Sequence, residues 1–241
     1  MEVVPVEPPP TAWEFPPPQR FHPDDDLVAT GADLEPGTVL EAYRRGLFPM
    51  PMGGRRSPMA WFCPTRRAVL RPAEITVSRS LRRSARRFEI RVDTACAKVI
   101  DACADPRRPS GWIDGQIRTA YLRLHELGWV HSVETWRGDR LVGGLYGVAI
   151  GGLFAGESMF HHETDASKVA LLALTRLMDD GEDRLVDAQW LTPHLASLGM
   201  REVGRADYLR LLEQVLRTPD LDLATRLPAV PPTPATRHSG A

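Results

Sequence analysis

Hydrophobic and polar positions follow one another along the chain in patterns that predict helices and strands. A first helix is predicted over residues 38–46 (TVLEAYRRG), beginning at Thr38 and ending at the glycine. The overlapping stretch GLFPMPMGG (46–54) holds two prolines and three glycines, so we expect irregular structure there. Between Asp114 and Gly128, apolar residues recur at helical spacing, with an aspartate cap before them and a glycine stop after them.

The second half of the chain predicts strands before helices. Residues 131–160 predict three strands joined by tight turns at Gly138-Asp139 and Gly151-Gly152. The segments that follow predict a helix over 164–180, a strand RLVDAQW over 184–190, a helix capped by Thr192 with Pro193 next, and a last helix over 205–217. This succession predicts an α+β class with a mixed sheet flanked by helices.

Composition narrows the class of protein. The chain has 241 residues, 43% of them apolar, which suits a globular protein with one sizeable core. No apolar run approaches the roughly 20 residues that span a bilayer, and the N-terminus lacks the features of a secretory signal. Three cysteines without a CxxC pair predict free thiols, no metal site and a cytoplasmic location.

Charge is unevenly distributed along the chain. The net charge is only −1, yet residues 55–91 hold eleven arginines and two glutamates. On a helical wheel, five of these arginines cover an arc of about 140°, opposite Leu81, Ala85 and Phe88. The five are Arg79, Arg82, Arg83, Arg86 and Arg87. Because like charges on one face repel one another, the stripe favours a polyanionic partner over a merely solvated surface.

Three polar residues stand in apolar surroundings. Glu157 lies within the apolar strand LFAGESMF, where burial of a carboxylate is costly unless it binds a cation or hydrogen-bond donors. An internal salt bridge to an arginine is the structural alternative. On RLVDAQW, alternation places Asp187 and Gln189 on one face, where they either meet one ligand together or form a solvated outer face. Trp112, in a loop, either stacks on a base or anchors the loop.

Several blocks of the chain resemble, in order, those of the leucyl/phenylalanyl-tRNA–protein transferases. The resemblance covers about residues 27–214, and GESMF together with HSVE.W and LVGGLYG is highly specific. The blocks are LEAYRRGLFPMP, WFCPTRRAVL, GWI, AYLRLHELGWVHSVETW, LVGGLYGV, GGLFAGESMF, ASKVALL, LVDAQ and HLASLG. The resemblance implies a GNAT-like fold with a small N-terminal domain. It also implies transfer of Leu or Phe, and less well Met, from tRNA to proteins with N-terminal Arg or Lys, which marks them for N-degron degradation.

The resemblance also assigns roles to residues of this chain. The site residues of the family match Glu157, Asp187 and Gln189, of which we expect the last two to hold the α-amine and Glu157 to meet the cationic end of the acceptor. The aminoacyl pocket matches Leu145, Phe154, Met159, Leu171, Met178 and Val186. Trp112 matches a tryptophan beside the terminal adenosine, and Met50 stands where many members have a second one. WFCP replaces the commoner WWSP, and His161 stands where serine is usual.

Domain boundaries and partners complete the expectation. We expect a Pro-rich arm (1–23), a small N-terminal domain (24–63), a GNAT-like aminoacyl-transfer domain (64–217) and a disordered tail (218–241). The partners are aminoacyl-tRNA and acceptor protein, met by a monomer without metal, cofactor or membrane. Two rival interpretations stay open. One is a GNAT-type acyl-CoA N-acyltransferase, although the usual pyrophosphate loop is absent. The other is a non-enzymatic tRNA-binding protein.

Overall fold

The computed structural model describes residues 4–53, 58–108 and 111–223, which form two β-sheets and the helices around them. The strands are β1 (Leu27–Thr30), β2 (Phe48–Pro51), β3 (Met59–Phe62), β4 (Arg66–Leu70), β5 (Glu89–Val92), β6 (Val130–Arg137), β7 (Arg140–Ile150), β8 (Leu153–His161), β9 (Leu185–Asp187) and β10 (Arg201–Gly204). The helices are α1 (Pro36–Arg44), α2 (Arg79–Ala85), α3 (Cys96–Cys103), α4 (Gly115–Glu126), α5 (Ala166–Met178), α6 (Pro193–Ala196) and α7 (Arg205–Val215).

The larger sheet has seven strands in the order β10-β4-β9-β8-β7-β6-β5. Neighbours are antiparallel except β8 and β9, whose parallel pairing makes the sheet mixed. One core cluster joins the sheet to α1, α3 and α4, and a second joins it to α5. Since successive strand residues point to opposite faces, these clusters lie on the two sides of the sheet. The predicted α+β class, with a mixed sheet flanked by helices, is confirmed.

The smaller sheet has the order β1-β3-β2. Its strand β2 corrects the prediction of irregular structure over GLFPMPMGG, because Phe48–Pro51 pairs with β3 in regular antiparallel register. Two prolines are tolerated there because β2 is an edge strand, where a missing N–H need not interrupt the ladder. The first helix also begins earlier than predicted, with a proline in its first turn, and Gly46 follows it at φ +79°.

Most long elements follow their sequence patterns. The side chain of Asp114 accepts from two backbone N–H groups at the start of α4, and Gly128 follows the helix at φ +83°. The three strands of 131–160, helix α5, the helix capped by Thr192, and α7 all form as predicted. The predicted strand over 184–190 is wrong in its second half, since β9 ends at Asp187.

The proline-rich arm lies extended along the body of the protein. The N–H of Val6 donates to the carbonyl of the residue after α4 (2.8 Å), and the indole of Trp129 donates to the carbonyl of Val6 (2.8 Å). Glu7 accepts two hydrogen bonds from Arg44, the last residue of α1 (2.7 and 2.8 Å). Phe15 is buried. The arm therefore bridges the ends of α1 and α4.

The start of the expected tail is ordered. The Asp220 carboxylate accepts from the Gly151 N–H (2.8 Å), while Leu221 and Leu223 are buried beside α5. The rest of the expected tail, 224–241, lies outside the described residues. Within the part of the chain that is described, no helix combines the length and the apolar character needed to cross a membrane.

Candidate active site

A cavity of about 290 Å³ opens where β8 and β9 run side by side. Five of the six side chains expected to form an apolar pocket line it, namely Leu145, Phe154, Met159, Leu171 and Val186. The sixth, Met178, is fully buried in the core of α5 and is not among the lining residues. Glu157, Asp187 and Gln189 line the same cavity, so the fold brings the polar set and the apolar wall together.

Glu157 owes its position to a β-bulge. Along β7 and β8, Tyr146 pairs with Ser158 and Gly147 pairs with Gly156, which leaves Glu157 as the extra residue. A bulge re-aims the side chain of such a residue and disturbs the ladder locally. Gly147 is required opposite it, because a Cβ there would approach the Ala155 carbonyl oxygen to 2.3 Å. A polar residue in an apolar strand is thus turned into the cavity.

Two tyrosines from different helices hold the Glu157 carboxyl group. The hydroxyl of Tyr43 on α1 lies within hydrogen-bond distance of Oε1 (2.6 Å), and that of Tyr121 on α4 lies within hydrogen-bond distance of Oε2 (3.1 Å). The two hydroxyl oxygens are themselves 2.5 Å apart. Burial raises the pKa of Glu157 from 4.5 to about 7, although both tyrosine hydrogen bonds oppose the rise. Burial, with the nearby carboxylate, also raises the pKa of both tyrosines well above 10.

Sequence reasoning missed both tyrosines. They lie inside two of the blocks quoted above, LEAYRRG and AYLRLHELG, but a tyrosine on an apolar helix face is more often a simple core residue. The two positions are 78 residues apart, and nothing in local spacing indicates that their hydroxyls meet. Only the packing of α1 against α4 brings them together.

Asp187 is engaged in a buried ion pair. Arg67 on β4 donates to both carboxylate oxygens (2.8 and 2.6 Å), and both side chains are fully buried. The Tyr208 hydroxyl (2.9 Å) and the backbone N–H of Gln189 (2.9 Å) donate to the same carboxylate. The Arg67 guanidinium lies over the rings of Phe48 and Tyr208, at 4.9 and 4.3 Å. Burial alone would lower the pKa of Arg67, but the adjacent carboxylate outweighs burial and raises it.

The salt bridge changes the interpretation of Asp187. Four donors occupy the roughly four acceptor positions of a carboxylate, so none is left for an incoming amine. The expectation that Asp187 and Gln189 share one strand face is wrong, because Gln189 follows the strand with φ +58°. Its amide nitrogen Nε2 is buried and has no hydrogen-bond partner within the described residues. Asp187 therefore fixes the backbone of Gln189, and Gln189 presents an unpaired donor at the cavity.

Further polar residues reach the cavity that sequence reasoning did not single out. Arg108 lines it while donating to the carbonyls of Cys103 (2.8 Å) and Met159 (2.7 Å). His194 on α6 also lines it, and burial lowers the pKa of this histidine, helped by the nearby Lys168. Both groups lie toward the rim, since neither is fully buried. Arg108 therefore brings a positive charge to the entrance, while the lowered pKa of His194 favours its neutral form.

The two residues expected at the terminal adenosine lie elsewhere. Trp112 precedes α4 and Met50 lies on β2 opposite Ala60. Both are partly buried against the core cluster that includes α1 and α4. Neither is among the residues that line the cavity. Any contact of theirs with a nucleotide would therefore be made outside it.

The arginine stripe is exposed as expected. Helix α2 begins at a Ser78 cap (3.1 Å to the Leu81 N–H) and buries Leu81 on its inner side. Phe88, expected on the same helical face, is buried beyond the end of the helix, just before β5. All five stripe arginines are exposed, and in the described part of the chain none forms an ion pair. Because the helix ends at Ala85, Arg86 caps it and Arg87 lies in the following turn. The described residues also contain no group of His, Cys, Asp or Glu that could hold a metal ion.

The family models and the similar curated proteins agree on one family. The family model described as leucyl/phenylalanyl-tRNA protein transferase matches residues 69–213, and the model of its N-terminal domain matches residues 32–65. A leucyl/phenylalanyl-tRNA–protein transferase of Azoarcus sp. is 50% identical over 205 residues, 83% of this chain and 86% of that protein. The Thiobacillus denitrificans protein of the same name is 47% identical over 220 residues, 89% of this chain and 96% of that one. Among solved structures, L-PGS from Bacillus licheniformis aligns over 63% of this chain and 57% of that chain, with a TM-score of 0.36 and 10% identity.

Proposed function

Because the chain belongs to the leucyl/phenylalanyl-tRNA–protein transferase family, we propose that it moves Leu or Phe, and less well Met, from aminoacyl-tRNA onto proteins that begin with Arg or Lys. The coarser activity, aminoacyl transfer from tRNA to protein, is that of the family. The family assignment removes the acyl-CoA transferase and the non-enzymatic tRNA-binding protein from consideration. The finer proposal rests on one observation, an apolar cavity that ends at a buried carboxyl group and an unpaired amide.

The size and lining of the cavity support the choice of aminoacyl group. Its wall combines Leu145, Phe154, Met159 and Leu171, and about 290 Å³ accommodates a Leu, Met or Phe side chain. These four residues are apolar, so a charged aminoacyl side chain packed against them would lose its water without gaining a partner from this wall. β-branched side chains are wide next to the Cα, which places their bulk at the entrance.

Glu157 supports the choice of acceptor. It lies 9% exposed at the end of the apolar wall, where a protein with N-terminal Arg or Lys would bring a cation. A buried carboxylate and a buried cation each cost several kcal/mol alone but compensate each other when paired. We therefore assign Glu157 to the positive charge of the acceptor, by its α-ammonium or its first side chain.

We assign Gln189 to the orientation of the reacting ester, through its unpaired amide N–H group. An unpaired buried donor costs about 1–3 kcal/mol, and that cost disappears when a substrate supplies the acceptor. The carbonyl oxygen of the aminoacyl ester is such an acceptor, and it gains negative charge as the amine attacks. Asp187 acts behind Gln189 by holding its backbone N–H. This division of roles replaces the expectation that Asp187 touches the amine.

The chemistry requires positioning more than proton transfer. The ester is already activated, and an α-amine with a pKa near 8 is roughly a tenth neutral at pH 7. Positioning can contribute about 7–11 kcal/mol, whereas acid–base help typically contributes about 3–5 kcal/mol. A fixed cavity with one cation site and one carbonyl donor supplies the larger contribution.

The tRNA contacts, the cellular location and the oligomeric state expected from the sequence are also part of the proposal. The five exposed arginines of α2 and its C-terminal turn would meet tRNA phosphates, and Trp112 and Met50 would meet the terminal adenosine outside the cavity. A donor that is charged tRNA places the reaction in the cytoplasm, and the product enters the N-degron route. One chain supplies every proposed site residue, so we propose a monomer with the domain division given above.

Transfer of labelled phenylalanine from Phe-tRNA to peptides tests the proposal. We expect product with peptides that begin with Arg or Lys and none with the same Arg peptide acetylated at its α-amine. A peptide that begins with Ala measures the contribution of the cationic side chain and should be modified far more slowly. Equal rates for Arg and Ala would refute the acceptor assignment, and transfer to the acetylated peptide would refute the α-amine as nucleophile.

A further inference from the structure

Glu157, Tyr43 and Tyr121 form a closed ring of three oxygen–oxygen contacts. The contacts are Tyr43 to Glu157 Oε1 at 2.6 Å, Tyr121 to Glu157 Oε2 at 3.1 Å, and Tyr43 to Tyr121 at 2.5 Å. Each contact of hydrogen-bond length requires one proton between its two oxygens. The two hydroxyls supply two protons, which leaves one contact unfilled if Glu157 is ionised. A third proton, on the carboxyl group, fills the ring.

The unfilled contact is the unfavourable one. If both tyrosines donate to an ionised Glu157, their oxygens face each other at 2.5 Å with lone pairs only. If Tyr121 instead donates to Tyr43, then Oε2 has no donor from the ring. With a neutral acid, Oε2–H donates to Tyr121, Tyr121 donates to Tyr43, and Tyr43 donates to Oε1. All three hydrogen bonds then run in one direction around the ring.

We propose that Glu157 rests as a neutral carboxylic acid whose proton closes the hydrogen-bond ring, and that the cation of an incoming acceptor displaces this proton into solvent. The second half rests on the proposed function. Proton and charge balance without another reactant, since the neutral acid and the acceptor cation become a carboxylate–cation pair while one proton passes to buffer. Tyr43 and Tyr121 are positioning residues in this scheme, because they act through Glu157.

The surroundings of Glu157 are consistent with a neutral resting state. Burial raises its pKa to about 7. The carboxylate of Asp187 opposes ionisation of Glu157, and the guanidinium of Arg67 favours it, but the two neutralise each other in a bidentate pair. No free cation among the described residues donates to Glu157. The titratable or charged groups that pack around it or line the same cavity are Tyr43 on α1, Tyr121 on α4, Tyr146 on β7, Asp187 on β9, Arg67 on β4, Cys103 on α3, Arg108 after α3, and His194 on α6.

The scheme gives the empty site and the loaded site the same net charge. Without an acceptor, the cavity buries a neutral acid rather than an uncompensated carboxylate. With an Arg or Lys residue bound, it buries a matched pair. An acceptor without a cation leaves the acid protonated and receives only neutral hydrogen bonds. Selection of the acceptor is therefore coupled to one proton.

Infrared spectroscopy of the whole protein tests the resting state. We expect a carboxylic-acid C=O band in wild type at about pH 6 that fades with a midpoint near 7, and that is missing in Glu157→Gln. The glutamine variant is a suitable reference because its amide can take the place of the acid in the same ring. A band that has already faded by about pH 5 as the pH rises would overturn the proposal.

Two tyrosine variants distinguish the ring from a simple pair of donors. Tyr121→Phe costs the neutral acid two hydrogen bonds and leaves an unpaired O–H, whereas it costs the carboxylate one donor. The midpoint should therefore fall, by about half to one pH unit. A rise would show that the tyrosines only donate to a carboxylate, and would overturn the ring. Tyr146→Phe is the matched control, because it removes a buried hydroxyl of the same neighbourhood that has no partner in the described residues; its midpoint should not move.

Titration calorimetry with an Arg-initiated peptide tests the displacement. At about pH 6, binding should release close to one proton per peptide, seen as a heat that depends on the ionisation enthalpy of the buffer, and release should approach zero above pH 8. If the peptide binds and is modified but releases no proton, the displacement is refuted while the proposed function stands. If the peptide is neither bound nor modified, the acceptor assignment and the displacement both fail, and the infrared band still decides the resting state.

Discussion

Substitution of Asp187 by alanine should destabilise the protein before it affects catalysis. The change leaves the Arg67 guanidinium fully buried, with the Gly46 carbonyl (3.1 Å), the Tyr208 hydroxyl (3.2 Å) and two aromatic rings as its surroundings. Breaking a buried pair by removing one partner costs about 3–5 kcal/mol. The Tyr208 hydroxyl and the Gln189 N–H lose an acceptor as well, at about 1 kcal/mol each. Together these contributions give an expected loss of about 5–7 kcal/mol.

A loss of that size approaches the entire stability of many domains, which is about 5–15 kcal/mol. Urea unfolding, followed by tryptophan fluorescence, measures it as a lower midpoint at unchanged slope. Arg67→Leu combined with Asp187→Leu removes both charges and should recover much of the stability while leaving transfer impaired. Asp187→Ala within about 1 kcal/mol of wild type would refute the reasoning, because it would mean that the Arg67 charge is not desolvated.

Four further outcomes are expected. Leu-, Met- and Phe-tRNA should serve as donors while Ile- and Val-tRNA serve poorly, and equal initial rates for Ile and Leu would contradict the pocket. Gln189→Ala should keep the unfolding midpoint near that of wild type yet lower single-turnover transfer by about 10–10³-fold; undiminished transfer would remove Gln189 from the site. The double variant Arg82→Ala/Arg86→Ala should flatten the plot of log binding constant for tRNA against log salt concentration by about one to two in slope. Arg210→Ala, an exposed and ion-paired control on α7, should leave the slope unchanged. Equal slopes for the double variant and wild type would mean that the stripe is a solvated face. The folded protein holds the Glu157 proton up to about pH 7, whereas the unfolded chain holds it only to about 4.5. The free energy of unfolding should therefore fall by about 3 kcal/mol, relative to Glu157→Gln, as pH rises through that range. A difference that does not depend on pH would contradict the raised pKa.

Elements with strong local signals could be predicted from the sequence. Helix α4 has an N-terminal cap, apolar residues at helical spacing and a glycine stop within fifteen residues, and these signals set its limits. The three consecutive strands are joined by turns that contain glycines at φ +57° and +55°, which few other residues adopt. In both cases the residues that decide the structure are close together in sequence, so the pattern alone determines the element.

Features that depend on distant residues could not be predicted. Strand β2 forms because β3 offers it a partner, although its own prolines argue against a strand. The bulge at Glu157 appears only when the register of β7 against β8 is known. Asp187 and Gln189 look equivalent as D-x-Q, yet Arg67, 120 residues earlier, occupies the aspartate and leaves the glutamine amide unpaired. Candidate site residues could be named from sequence, but their partners could not.

The docked arm has a practical consequence for handling the protein. Its residues Val6 and Glu7 fasten the end of α4 to the end of α1, and these two helices position Tyr121 and Tyr43. A shortened version that begins after the prolines would lose the Val6 and Glu7 hydrogen bonds, which would let the two helices shift relative to each other. Because hydroxyl contacts of 2.5 to 3.1 Å tolerate little displacement, the hydrogen bonds of the Glu157 carboxyl group would be the first to weaken. A purification tag is therefore better separated from the leading residues by a flexible spacer than joined in their place.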